Sequence, residues 1–147
     1  MSQDWSQKSQ LLYQMYRVNN AINTTFDAYI SLSQSRFEIL ALIYQEIEIS
    51  QGDLQKRVTL DKAAVARHLK QLEEQQLVVR RKKNGDNRMI WVQLTDLGKA
   101  SIEASQKEKE YFANELLHQI SDRELDTFQN ILMKLDGNIA RMIRDNE

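Results

Sequence analysis

A chain of 147 residues, 41% hydrophobic and 28% charged, has the size and composition of one folded domain with a single core, which excludes disordered and fibrous classes. The absence of cysteine excludes disulfides, thiolate zinc sites and cysteine-based redox sensing, while zero prolines and only four glycines favour long helices. No run of about 18 apolar residues occurs, and the amino terminus MSQDWSQKSQ lacks a basic-then-apolar leader, so a cytoplasmic protein without membrane association is expected.

In chain order, Leu11, Met15, Val18, Ile22, Phe26 and Tyr29 recur every three or four residues and predict a long amphipathic helix from about Lys8 to Leu32. The SLSQS break offers hydroxyl caps, and a second helix runs from Ser35 through Phe37, Leu40, Ala41 and Tyr44. The alternation Ile47-Glu48-Ile49 suggests a brief strand. Ser50 followed by Asp53 caps a short helix through Leu54 to about Val58. Thr59 and Leu60 then turn the chain, and Asp61 caps a helix whose Val65, Leu69 and Leu72 share one face.

Two short helices across a tight turn make a helix-turn-helix candidate. The β-prone runs Leu77–Lys83 and Arg88–Leu94 surround Asn84-Gly85-Asp86, and Asn-Gly is the strongest short hairpin signal. Helix-turn-helix plus hairpin predicts a winged helix. Thr95 caps a long charged helix to about His118, and Ser121 with Glu124 forms a capping box for the last one. There Leu125, Phe128, Leu132, Leu135, Ile139 and Met142 keep a seven-residue repeat, a seam for another helix from this chain or from a second copy. The fold class is therefore mainly α with a small β-hairpin wing.

The charge is unevenly placed. From Lys56 to Arg88 there are ten basic residues against four acidic ones, a net +6, which leaves about −7 for the remainder. On a helical wheel Ala63, Arg67, Lys70 and Gln71 lie opposite Val65, and His68 lies nearer the core edge. An arginine between small Ala63 and Ala66 suits a major groove, where it can pair with guanine and a methyl can meet thymine; an ordinary solvated helix face is the plainer alternative. The run Arg80, Arg81, Lys82 and Lys83 crowds like charge, which an anionic partner would compensate, and Arg88 suits a narrow minor groove. Asp86 fits a role in orienting an arginine. A charged hairpin that protects its edges from aggregation is the alternative there.

Asp86-Asn87-Arg88, then Leu94-Thr95 and Gly98, resembles the D-x-R…L-T-x-x-G wing signature of the MarR family of bacterial transcriptional regulators. The run QGDLQKRVTLDKAAVARHLKQLEEQQLVVR is similar to that family's helix-turn-helix, including its L-x-x-L-E-x-x-x-L-V exit. The resemblance implies a homodimer with a shared dimerisation region (1–32 and 99–147) and a DNA-binding lobe (33–98) that binds a palindromic operator. It implies a regulator, a repressor before an activator, released by a small phenolic or other apolar anionic ligand. The helix after Asp61, with Lys62, Ala63, Ala66, Arg67, Lys70 and Gln71, would enter the major groove, and Arg80–Lys83, Asp86 and Arg88 would form the contacting wing. Leu11, Met15 and the last-helix seam would hold the dimer. This chain departs from the family pattern at Ala63, Ala64 and Ala66, where Ser or Thr is frequent, and at Gln76, where glycine is usual.

Catalysis finds no residue set: His68 and His118 lack a nucleophile, an H-E-x-x-H pattern or a phosphate-binding loop beside them, and neither a metal nor a cofactor is expected. Tyr13, Tyr16, Phe26, Tyr29, Phe37, Tyr44, Tyr111 and Phe112 fit either a core or an effector cleft, so no effector residue is assigned. The rival reading is a winged-helix module that binds protein instead of DNA, and the basic wing argues against it.

Overall fold

The computed structural model describes residues 5–147, and the backbone alone of Asp86 and Asn87. The elements run α1 (Gln7–Tyr29), α2 (Gln34–Glu46), β1 (Glu48–Ser50), α3 (Gln51–Arg57), α4 (Lys62–Glu74), β2 (Val78–Lys83), β3 (Asp86–Leu94), α5 (Asp96–Leu116) and α6 (Asp122–Asp145). The sheet is antiparallel in the order β1-β3-β2, with Ile49 opposite Val92 and Arg81 opposite Trp91. No helix among the described residues is long and apolar enough to cross a membrane. Packing divides the chain into two compact units, one through Phe112 and one from Ala113 to Glu147.

All the buried hydrophobic residues described belong to the first unit. Its centre is fully buried: Ile39, Leu40 and Ile43 of α2, Leu54 of α3, Val65, Leu69 and Leu72 of α4, and Val92 of β3. Each such side chain contributes about 1.5–3 kcal/mol on leaving water. The Phe26 ring meets those of Phe37 and Phe112 edge-on, with centroids 5.9 and 5.6 Å away, so the aromatic residues of that cluster are core.

Four local expectations need correction. Helix α1 stops at Tyr29 instead of Leu32, because Ile30 turns extended and both Ile30 and Leu32 are drawn into the core. Helix α2 begins at Gln34 instead of Ser35, with the Ser33 hydroxyl of the SLSQS break capping it by accepting from the Arg36 N–H. Ile47 is not in the strand: it leaves α2 at φ 67°, with a side chain 74% exposed, and β1 begins at Glu48. The return strand begins at Asp86, not Arg88, and Gly85 takes φ 91° in the two-residue turn before it.

The long outer helices behave differently. On α1 only Phe26 is buried, while Leu11, Met15, Val18 and Tyr29 stay exposed. The α6 capping box forms as expected, with the Ser121 hydroxyl accepting from the Glu124 N–H and the Glu124 carboxylate accepting from the Ser121 N–H. Helix α6 nevertheless buries no residue: Phe128, Leu132, Ile139 and Met142 are exposed, and Leu125 and Leu135 are half-buried.

Candidate nucleic-acid interface

The two-helix unit is built from its caps. Ser50 closes β1 and its hydroxyl accepts from the Asp53 N–H at 3.1 Å, which starts α3. The following turn is pinned to α2 by Glu38, whose carboxylate accepts from the Thr59 N–H at 2.6 Å and from its hydroxyl at 2.8 Å. Asp61 then caps α4 by accepting from the Ala64 N–H at 2.8 Å, with its charge on the positive helix end. Burial of Val65, Leu69 and Leu72 fixes the rotation of α4 about its axis.

That rotation leaves Lys62, Ala63, Arg67, Lys70 and Gln71 exposed and Ala66 half-buried. Ala64 differs from the other two alanines, since it is buried; a hydroxyl at that position would face the core and not a ligand. Gln71 already accepts a 2.8 Å hydrogen bond from Arg36, which also reaches Gln75. His68 does lie at the core edge, and its Nδ1 is buried without a hydrogen-bond partner among the described residues. Burial first, then the charges of Arg36 and Arg67, push its pKa down, so the ring adds no charge to this face at neutral pH.

The wing is joined to α4 by a tight exit. The Leu77 N–H donates to the Leu72 carbonyl and the Gln76 N–H to that of Glu73, a Schellman end that requires a left-handed residue; Gln76 fills it at φ 61°. The geometry that glycine would supply is thus kept by glutamine. Thr95 donates its hydroxyl to the Gln76 carbonyl at 2.6 Å and accepts from the Gly98 N–H at 3.0 Å. A Cβ at Gly98 would collide with the Leu77 carbonyl oxygen. Thr95 thus caps α5 as expected, and its second bond, to Gln76, together with the close approach of Gly98 to Leu77, holds the base of the wing against α5, which spacing alone did not disclose.

Strand alternation splits the basic run. Arg80 is half-buried on the Val78 side, where its guanidinium meets Glu73 at 3.1 and 3.2 Å and Gln51 at 3.5 Å. Arg81 and Lys83 lie on the opposite face, where both reach Glu48, at 3.5 and 3.0 Å, and the Lys83 ammonium sits 3.7 Å from the Trp91 ring centroid. Both acids titrate lower than ordinary glutamates: Glu48 chiefly through its hydrogen bond with Lys83, Glu73 chiefly through Arg80. Arg81, Lys82 and Lys83 remain exposed. Arg88 is exposed beside the start of α3, lining an open groove with Ser50, Gly52 and Asp53. The expected orienting role of Asp86 lies outside the described side chains.

The MarR family model matches residues 32–90. The chain is 48% identical over 134 residues to YdgJ, an uncharacterized HTH-type transcriptional regulator of Bacillus subtilis, which spans 91% of this chain and 82% of that one. Its fold is similar to a mutant MarR from E. coli complexed with operator DNA, at TM-score 0.78 and 24% identity, covering 86% and 93% of the two chains. It is also similar to PcaV of Streptomyces coelicolor in complex with its natural ligand, at TM-score 0.81 and 16% identity, covering 91% and 96%. With the winged helix-turn-helix in place and a relative of this identity along nearly its whole length, the chain belongs to the MarR family of DNA-binding transcriptional regulators and is not an enzyme.

Proposed function

We propose that the protein is a homodimeric repressor that binds a palindromic operator and is released by a small phenolic or other apolar anionic effector. The observation that carries this reading is the exposed face of α4, where Arg67 stands among lysines and small residues while its opposite side is locked into the core. Arg67 is assigned to a base edge, Ala63 and Ala66 to close approach, Gln71 to a polar contact, and Lys62 and Lys70 to phosphates. Arg81, Lys82 and Lys83 add phosphate charge on the wing, and Arg88 is assigned to the minor groove.

The exposed apolar stripe of α6, with Leu11 and Met15 of α1, supports a second copy as its cover, because a 3.5-residue period is the pattern of a helix–helix seam. In this reading residues 1–32 and 99–147 form the dimer and residues 33–98 the DNA lobe. Two symmetric lobes then read half-sites about one helical turn apart, ~34 Å. An effector that favours another separation of the lobes weakens binding by its differential affinity for the two forms. The solved relatives crystallised with operator DNA and with a natural ligand support both halves of this scheme.

The test is fluorescence anisotropy against the intergenic DNA beside the gene, with scrambled DNA as control. Arg88→Ala is expected to weaken operator binding by roughly 1–3 kcal/mol, as for a specific contact. Equal affinity for both DNAs would overturn the reading.

A further inference from the structure

We propose that Arg80 is a positioning residue and not a DNA contact: with Glu73 and Gln51 it locks the wing to the recognition helix, so that both meet DNA as one body. The inference rests on the DNA-binding reading above and reassigns one of the residues that the basic run suggested.

Arg80 lies where β2 leaves α4, and its partner Glu73 is on the last turn of α4. The Glu73 carboxylate accepts three N–H donors from this one residue. The backbone N–H and Nε of Arg80 donate to Oε2 at 3.2 Å, and Nη2 donates to Oε1 at 3.1 Å. Two parallel bonds from a planar fork to a planar carboxylate fix direction as well as distance. The third arm, Nη1, reaches Gln51 on α3 at 3.5 Å, so α3, α4 and β2 meet at one guanidinium. Its side chain is only 23% exposed. The Nε–Nη2 edge of this fork is taken by Glu73 and Nη1 is turned to Gln51, so the edge best suited to a bidentate grip on phosphate is already occupied within the protein.

Lys82, two residues along on the same face of β2, shows the contrast: it is exposed and has no ion pair among the described residues. Arg80 stands at the root of the hairpin, whereas Lys82, Lys83 and Arg88 stand toward its tip. A small rotation at the root moves the tip most. Specific binding, which needs α4 and the tip in register together, suffers from such freedom far more than diffuse attraction to phosphates does.

The test compares operator and scrambled DNA across a salt series for the full chain and its Arg80→Ala, Arg80→Lys and Glu73→Ala variants. Positioning predicts that all three variants lose operator affinity by about tenfold or more. Scrambled-DNA affinity and the slope of log K against log salt stay at the wild-type values, and the swap Arg80→Glu with Glu73→Arg recovers part of the loss. A phosphate contact predicts the reverse: Arg80→Lys keeps most of the affinity, Glu73→Ala binds more tightly, and Arg80→Ala lowers the salt slope by about 0.9. That second pattern overturns the proposal.

Amide exchange of β2 and β3 without DNA supplies the independent arm. The proposal requires faster exchange there in Arg80→Lys, and unchanged exchange contradicts it even if the wild type fails to distinguish the two DNAs. That failure would instead remove the DNA reading. If Arg80→Ala does not fold, Arg80→Lys and Gln51→Ala carry the same comparison.

Discussion

Helices α4 and α6 are both amphipathic, yet α4 buries Ala64, Val65, Leu69 and Leu72 while α6 buries nothing. The apolar face of α4 is completed by α2, α3 and the sheet, and its polar face is thereby fixed outward. The apolar face of α6 is left open to water in the single chain, which is unfavourable for a stripe of that length. An amphipathic pattern therefore states that a face will be covered, not by what.

Substitution of a stripe leucine on each helix tests that contrast with the largest effect. Leu69→Ala is expected to cost about 2–5 kcal/mol in urea unfolding, independent of protein concentration, because the residue is fully buried within one chain. Leu132→Ala should cost an amount that depends on protein concentration and shrinks on dilution as the free chains separate, since its partner is assigned to another copy. A loss at Leu132 that ignores concentration would break the comparison.

Glycine substitutions sharpen it further. Gly98→Ala is expected to destabilise by about 1–3 kcal/mol or more, because the methyl must displace the Leu77 carbonyl. At Gly137 of α6 a Cβ meets nothing within 4 Å, so the same change should stabilise the helix by roughly 0.5–1 kcal/mol. Thermal unfolding of the two variants reads the opposite signs. A third change, Gln76→Gly, is expected to stabilise by about 0.5 kcal/mol, since it relieves a left-handed side chain at the end of α4. An unchanged midpoint there would mean that the left-handed penalty of the glutamine is no larger than the chain entropy that glycine adds to the unfolded state.

The smallest effect is the acid response. Glu73 at the end of α4 is held below the ordinary glutamate range of about 4.3 chiefly by Arg80, and Glu124 at the start of α6 chiefly by the Ser121 N–H. A lowered folded pKa means stability that is present above the unfolded value and lost as pH falls through the folded one. Arg80→Ala should therefore flatten the fall in stability below about pH 4.3 by the Glu73 share alone, with Glu124 unaffected. Chemical unfolding at a series of pH values from 5 downward, near that range, measures it.

Much of this was legible in the chain itself. The helix order, the caps at Ser50, Asp61 and Ser121 and the Asn84-Gly85 turn follow from local chemistry that acts over three or four residues. What sequence did not disclose depends on the tertiary neighbourhood. Ile47 looked strand-like by alternation but is spent on leaving α2, and the helix expected to reach Leu32 stops at Tyr29 where the core takes up Ile30 and Leu32. Arg80 to Lys83 read as one basic cluster, and only the pleat and the acids on either side divided it, Glu73 below and Glu48 above. Gly98 carried a recognisable signature, but its reason, the Leu77 carbonyl, lies across a contact that no spacing reveals.

The measurement closest to the central claim is sedimentation equilibrium of the protein with a labelled duplex from beside its gene and with a scrambled duplex of the same length. A homodimeric, operator-specific regulator gives two chains per specific duplex, a dimer in the free protein, and weak binding to the scrambled duplex at moderate salt. One chain per duplex, or equal occupancy of both duplexes, would contradict it.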